Sequence, residues 1–294
     1  MTTIVPQPTS AISPQLQAKS DALRAILRNF DRVIIAYSGG VDSAFLLQVA
    51  HQELGERALG IIGVSPSLMP EEHEAAVELA QQIGAPLRVV DTHEMEDPNY
   101  AANPNNRCYY CKSHLFETLT VIARDEDFEA VCDGTNLDDM KEWRPGAQAG
   151  TEKSVRSPLR EVELSKDEIR QLSKNLGLPT WDKPAMPCLS SRIPYGTPVT
   201  PQALRMIGRG EAWLRTQGLR EVRVRHFDEN GKLTARIEVA PEELDRAFAL
   251  REELVQVLKE QGYTSVLLDL EGYRRGKMND VLTQAQPLIQ ISLK

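Results

Sequence analysis

Residues 32–37, Arg-Val-Ile-Ile-Ala-Tyr, run without a break into Ser38-Gly39-Gly40-Val41-Asp42-Ser43. From Asp42 to Leu54 a helical period follows, with Phe45, Leu46 and Val49 on one face. A short apolar run, a paired glycine and a helical period predict a buried strand, a tight turn and a helix. Gly39 and Gly40 let the backbone N–H groups curl around an anion, and Ser38 and Ser43 add hydroxyls. The helix N-terminus contributes its partial positive charge. Asp42 is the odd member, because phosphates repel a carboxylate unless a cation stands between them; that suits a Mg2+ ligand. A Walker loop is excluded: no Gly-Lys-Ser or Gly-Lys-Thr occurs, and Gly276-Lys277 continues into Met278. A lone Gly-Gly would read as an ordinary strand-to-helix turn, but the whole hexapeptide after an apolar strand reads as a phosphate cradle.

The same alternation fills the first half. Further strands are predicted at Leu59–Val64, Leu87–Val90 and Ala130–Asp133, with helices at Pro70–Ile83 and Ser113–Arg124 between them. Strands separated by helices of this length imply an α/β fold with a doubly wound parallel sheet. The hexapeptide resembles the signature of the PP-loop ATP pyrophosphatases, which cleave ATP to AMP and pyrophosphate while adenylating a substrate. In that family the end of the second strand, here Val64-Ser65, holds adenine. Gly134-Thr135-Asn136 ends the fourth strand, and ligands of open α/β sheets bind outside the carboxyl ends of strands. Ser38, Gly39, Gly40, Val41, Asp42, Ser43, Ser65, Gly134 and Thr135 are therefore expected to converge on ATP. Asp138 and Asp139 read equally well as metal or ribose ligands and as a solvated acidic turn.

Five prolines between Ser157 and Gly196, around one short helix at Lys166–Leu176, read as a linker, and the domain boundary is placed at residues 193 and 194. Beyond it, a helix at Pro201–Gln217, strands at Glu221–Phe227 and Leu233–Val239 around Asn230-Gly231, a helix at Glu242–Gln261 and a strand at Thr264–Leu268 predict a smaller α+β domain. The net charge of −8 argues against a dedicated nucleic-acid partner. No apolar run reaches membrane length. Residues 1–10 have no apolar core after a basic start, so a cytoplasmic location is expected.

In that reducing compartment four cysteines are not expected to form disulfides. Cys108 and Cys111 frame Cys-Tyr-Tyr-Cys-Lys, Cys188 lies in Cys-Leu-Ser-Ser-Arg-Ile-Pro-Tyr-Gly, and Cys132 sits in the predicted fourth strand as a small buried hydrophobe. Buried thiols, a redox pair and zinc are all open for Cys108 and Cys111. Three thiolates with an open fourth position suit an iron–sulfur cluster, and spacing alone leaves cluster and zinc nearly even.

These cysteine segments, the phosphate loop and Leu268-Asp269-Leu270-Glu271-Gly272-Tyr273-Arg274 together resemble the LarE family, over about Leu16 to Asn279. LarE proteins are ATP-dependent sulfur transferases of nickel-pincer cofactor synthesis, acting on a pyridinium biscarboxylic acid mononucleotide. The resemblance implies ATP, Mg2+ and a small-molecule mononucleotide, with no nucleic acid, no membrane and a homo-oligomer. One LarE type sacrifices a lone cysteine, which matches Cys188, and turns it into dehydroalanine. In the other type two extra cysteines, matching Cys108 and Cys111, join it to hold a [4Fe-4S] cluster that carries sulfide. The resemblance also implies that Arg223, Arg225 and Arg274 hold the substrate phosphate, with Arg275 beside them. Ser191, Arg192, Glu211 and Glu238 are further candidates for the pyridinium or ribose. Without the resemblance, Arg223 and Arg225 read as a solvated strand edge and both glutamates as surface charge. The five histidines have no metal-ligand spacing. A tRNA thiolase of the same fold is disfavoured by charge and by 5% aromatics. An amide ligase leaves the cysteines unexplained, and a nucleotide-binding regulatory protein would release no pyrophosphate.

Overall fold

The computed structural model describes residues 12–140 and 145–274. The chain divides into two compact units, Met1–Cys188 and Leu189–Lys294. In the first, β1 (Val33–Ala36), β2 (Ala58–Val64), β3 (Leu87–Asp91) and β4 (Ala130–Cys132) form one parallel sheet in the order β3-β2-β1-β4. Val33 pairs with Ala58 on one side and Ala130 on the other, so β1 is central. The α/β, doubly wound parallel sheet is the predicted fold class.

The alternation of side chains along β1 builds a core on each face. Val33 and Ile35 pack with α1 (Pro14–Arg28), α2 (Val41–Leu54) and α3 (Pro70–Ile83) through residues such as Leu27, Leu46 and Leu79. Ile34 and Ala36 pack with Phe116, Leu119 and Ala123 of α4 (Arg107–Asp125) and Ala149 of α5 (Pro145–Glu152). Helix α2 is buried nearly all round, from Val41 to Leu54, because α6 (Lys166–Asn175) supplies Ile169 and Leu172 to the same core. A helix so enclosed fixes where its N-terminus lies, and that end carries the phosphate loop.

Four elements differ from the sequence reading. Helices α1 and α5 were not predicted. Helix α4 starts at Arg107 rather than near Ser113, because Arg107 is buried and bonds the Asn103 side chain, anchoring an extra turn. The predicted helix at 242–261 is broken at Leu250 into α8 (Leu244–Ala249) and α9 (Arg251–Glu260).

The second unit holds α7 (Pro201–Thr216), β5 (Val222–Glu229), β6 (Lys232–Val239), α8, α9 and β7 (Ser265–Leu268). Strands β5 and β6 form the predicted hairpin, and β7 adds parallel to β6. The antiparallel register sets Arg223 opposite Glu238 and Arg225 opposite Arg236. No helix of the described residues is long and apolar enough to cross a membrane.

Close packing shapes the phosphate loop. Tyr37 donates its hydroxyl to the Ala76 carbonyl at 2.8 Å, drawing α3 against the loop. Gly39 has φ +69°, and a Cβ there would lie 2.5 Å from Ala76 Cβ. The backbone strain of Gly39→Ala alone costs about 1–2 kcal/mol, and the clash adds to it. Chemical denaturation is expected to show a loss of at least that size; unchanged stability would contradict this packing.

Candidate functional site

Three hydrogen bonds hold the phosphate loop. The Ser38 N–H donates to Ser43 Oγ at 3.1 Å, the two serine hydroxyls lie 3.0 Å apart, and Ser43 Oγ donates to the Gly40 carbonyl at 3.3 Å. Gly40 is the N-cap of α2 and no side chain caps that end, so the helix presents its first N–H groups to an anion. The end of β4 comes alongside: a Cβ on Gly134 would lie 2.9 Å from the Ser43 nitrogen. Asp133 locks this segment by accepting from the Thr135 hydroxyl at 2.7 Å and the Ser157 hydroxyl at 2.8 Å. Ser65 follows β2 and bonds Ser67, whose hydroxyl donates to the buried Glu94. Ser38 to Ser43 and Gly134 thus meet, with Ser65 at the end of the adjacent strand.

Asp42 sits in the first turn of α2. Its Oδ2 pairs with Lys166 Nζ, while its Oδ1 is buried without a hydrogen-bond partner. A buried carboxylate oxygen left unsatisfied is costly, and a hard cation is the partner that suits it; the residue fits Mg2+. Asp138 and Asp139 are half-buried rather than a solvated turn. Asp138 Oδ2 accepts from the Lys166 N–H at 2.8 Å, and Asp139 Oδ2 from the Asn136 N–H at 3.1 Å.

Two lysines here escaped the sequence reading. Lys166 opens α6, and Lys183 reaches the Gly39 carbonyl at 3.5 Å while pairing with Glu72 at 2.7 Å. Both lie in the stretch read as a linker. Ser165-Lys166-Asp167-Glu168 forms a full capping box, a signal that fixes the helix start and with it Lys166.

Cys108 and Cys111 lie within one turn of α4, not ahead of it. Three residues apart, they share a helix face. Burial is the main reason the Cys108 and Cys111 thiols are pushed up, and the charge of Cys188 adds to both. Cys108 is exposed as a residue, yet enough protein surrounds its sulfur to have this effect. The Glu94 charge raises Cys111 further, whereas Lys112 pulls both thiols down. These three cysteines are thus near neighbours inside the first unit. Cys132 is fully buried in β4, where burial raises it and Arg156 is its chief charged neighbour. Among the described residues no three His, Cys, Asp or Glu side chains close on one metal ion. A tetrahedral zinc site needs such closure. A cube-shaped cluster takes each thiolate on a separate iron and needs no such closure.

In the second unit, Arg223 and Arg225 are each only 4% exposed, and Glu211 and Glu238 are fully buried. The alternatives of a solvated strand edge and ordinary surface charge are therefore set aside, because α7 and β6 enclose these side chains. Arg192 grips Glu211 through Nε at 2.7 Å and Nη2 at 2.8 Å, and Arg215 adds a contact at 2.9 Å. Glu211 also accepts from the Val224 N–H at 3.1 Å, which pins the residue between the two arginines. Glu238 holds Arg225 at 2.7 Å and Arg236 at 3.1 Å. Ser191 accepts from Arg225 through its carbonyl at 3.0 Å. Arg223 has no carboxylate partner among the described residues. It donates to the Val222 carbonyl at 2.7 Å and stacks on Tyr273 at 4.6 Å. Burial first, then the Arg192 charge, lowers its pKa. The Glu211 charge reaches Arg223 without an ion-pair contact, and a buried guanidinium so placed can bind an anion. Arg274 is exposed, and Arg275 lies outside the described residues.

Burial alone would raise the Glu211 carboxyl, but the Arg192 hydrogen bonds and the Arg192, Arg215 and Arg223 charges outweigh it and hold it below its ordinary value of 4.5. A depressed folded pKa adds stability that is present above the unfolded value and is lost as pH falls through the folded one. The unfolding free energy should therefore decline on acidification below pH 4.5. Glu211→Gln should lose about 3–5 kcal/mol at neutral pH and flatten that acid slope. A Gln variant with wild-type stability at both pH values would contradict the assignment.

A family model described as NAD synthase matches residues 16–106, the stretch from α1 to just before α4. The chain is 49% identical to the uncharacterized protein slr1717 of Synechocystis, over 92% of this chain and 100% of that one. It is 31% identical to the uncharacterized protein MJ0830 of Methanocaldococcus jannaschii, over 83% of this chain and 91% of that one. It is 34% identical to pyridinium-3,5-bisthiocarboxylic acid mononucleotide synthase of Lactiplantibacillus plantarum, over 92% of this chain and 97% of that one. With the phosphate loop at the sheet's carboxyl edge and a match across nearly the whole of both chains, this chain is an ATP-using enzyme and belongs to the LarE family of the PP-loop ATP pyrophosphatase superfamily.

Proposed function

We propose that this chain is a sulfur transferase that adenylates the carboxylates of pyridinium-3,5-biscarboxylic acid mononucleotide and converts them to thiocarboxylates. The observation that carries the reading is Asp42, a carboxylate set at an uncapped helix N-terminus with one buried oxygen unsatisfied. That donor belongs beside a metal–polyphosphate. The name of the Lactiplantibacillus relative, a bisthiocarboxylic acid mononucleotide synthase, supports the substrate.

One substrate carboxylate oxygen attacks the α-phosphorus of ATP. The bond from that phosphorus to pyrophosphate breaks, and a mixed anhydride with AMP forms. The loop N–H groups, Lys166 and Lys183 stabilise the charge that develops on pyrophosphate. Mg2+ on Asp42, when bound, supplies Lewis-acid neutralisation of the same charge. A carboxylate resists nucleophiles because its charge repels them; the anhydride removes that charge and provides AMP as a leaving group. Hydrosulfide then adds to the carbonyl carbon, the bond to AMP breaks, a proton is released and a thiocarboxylate remains. The second carboxylate repeats the sequence. Arg223 and Arg225 in the second unit bind the substrate phosphate, Glu211 and Glu238 fix them in place, and Arg274, Ser191 and Arg192 complete that site.

Cys108, Cys111 and Cys188 would hold the group that carries the sulfur. A [4Fe-4S] cluster on these three thiolates, when bound, supplies an open iron for sulfide. Holding the nucleophile beside its target then contributes through proximity. The charge of Cys188 reaches both Cys108 and Cys111, which favours this over sacrifice of Cys188 alone, a reading that leaves Cys108 and Cys111 without a part.

Asp42→Ala is expected to abolish AMP formation that depends on the mononucleotide, measured by chromatography of the products. Undiminished AMP formation in that variant would refute the nucleotide site. Anaerobic reconstitution with iron and sulfide should load about four irons and four sulfides per chain. Cys108→Ala, Cys111→Ala and Cys188→Ala should each lose that load, and Cys132→Ala should keep it. An iron-free protein that delivers one sulfur per chain and leaves Cys188 lighter by the mass of hydrogen sulfide would place the chain with the sacrificial type.

A further inference from the structure

Lys166 Nζ pairs with Asp42 Oδ2 in the first turn of α2. Its backbone is fixed on every side. Ser165 and Glu168 form the capping box, the Lys166 N–H donates to Asp138 Oδ2 at 2.8 Å, and Lys19 Nζ holds both Glu168 at 2.8 Å and the Glu163 carbonyl at 2.8 Å. Its side chain is the part left able to move. That side chain is 37% exposed and crosses from α6 to Asp42 in the first turn of α2, where it takes Oδ2 and leaves Oδ1 buried without a partner. A half-exposed ion pair is weak and open to exchange. The carboxylate is satisfied on one side only, so a doubly charged ion gains more there than the ammonium does.

We propose that Lys166 is a counter-ion lock on Asp42. In the nucleotide-free protein it neutralises the carboxylate and competes with divalent cations for it. When a metal–polyphosphate enters, Lys166 leaves Asp42 to the metal and turns its ammonium to the phosphate oxygens. Both charges then find stronger partners, and the metal is taken up with the nucleotide rather than before it. Lys183 cannot play this part, because its carboxylate partner, Glu72, lies on α3 and outside the loop. The identity of the incoming anion rests on the adenylation reading; the competition for Asp42 does not.

The test uses the full chain without nucleotide and Mn2+ alone as the probe, followed by electron paramagnetic resonance. Wild type should bind Mn2+ weakly. Lys166→Met and Lys166→Gln, which remove the competing charge and keep much of the stem, should each bind it about tenfold more tightly or better. Adding Asp42→Asn to Lys166→Met should cancel the gain. With inorganic pyrophosphate as the second probe, both lysine variants should bind about tenfold more weakly. Equal Mn2+ affinity in wild type and both variants, or a gain that survives Asp42→Asn, would overturn the lock. Absence of substrate-dependent AMP formation in wild type would instead count against the adenylation reading, and the Mn2+ titration would still decide the lock by itself.

Discussion

The turn between β1 and α2 keeps its shape because Ser43, inside the helix, reaches back to Ser38 and Gly40. Those contacts turn a flexible glycine pair into a fixed ring of donors at a helix end. Everything around the ring serves to hold it. Ala76 presses on Gly39 from α3, Gly134 passes beside the Ser43 nitrogen, and α1, the sheet and α6 enclose α2. The backbone of a loop built this way is in place before any ligand arrives, which is the property that makes oriented N–H groups effective at developing charge.

The second unit solves a different electrostatic problem. Burying Arg192, Arg225 and two glutamates is unfavourable unless each charge is paired and hydrogen-bonded. The structure meets that demand by giving each carboxylate more than one donor, and the surplus of positive charge falls on Arg223. The glutamates therefore fix the positions of the arginines they hold. A register shift of one residue along β5 would break both arrangements at once, since Glu211 bonds the Val224 backbone and Glu238 bonds the Arg225 side chain.

The sheet was legible in the sequence because its signals are local. Apolar runs such as Val33-Ile34-Ile35 and the Pro70 start and Gly84 stop of α3 need no tertiary information. The phosphate loop was legible for the same reason. The start of α4 was not, because it depends on burying Arg107 against Asn103, a contact decided by packing. Lys166 and Lys183 were hidden because a single lysine in a proline-rich stretch carries no pattern. Their proximity to Asp42 and Gly39 arises only when residues 157–188 fold back over the sheet's carboxyl edge. Glu211 and Glu238 looked like surface charge because their partners are scattered over α7, β5 and β6 and the residues before α7.

The proposed reaction turns on one chemical event at the phosphate loop, transfer of a carboxylate oxygen from the mononucleotide to AMP. Labelling both carboxylates of the substrate with heavy oxygen and examining the released AMP by mass spectrometry measures that event directly. Adenylation predicts one heavy oxygen in each AMP and one fewer in the thiocarboxylate product. Unlabelled AMP formed alongside thiocarboxylate would contradict it, because the oxygen would then have left by a route that does not pass through an acyl-adenylate.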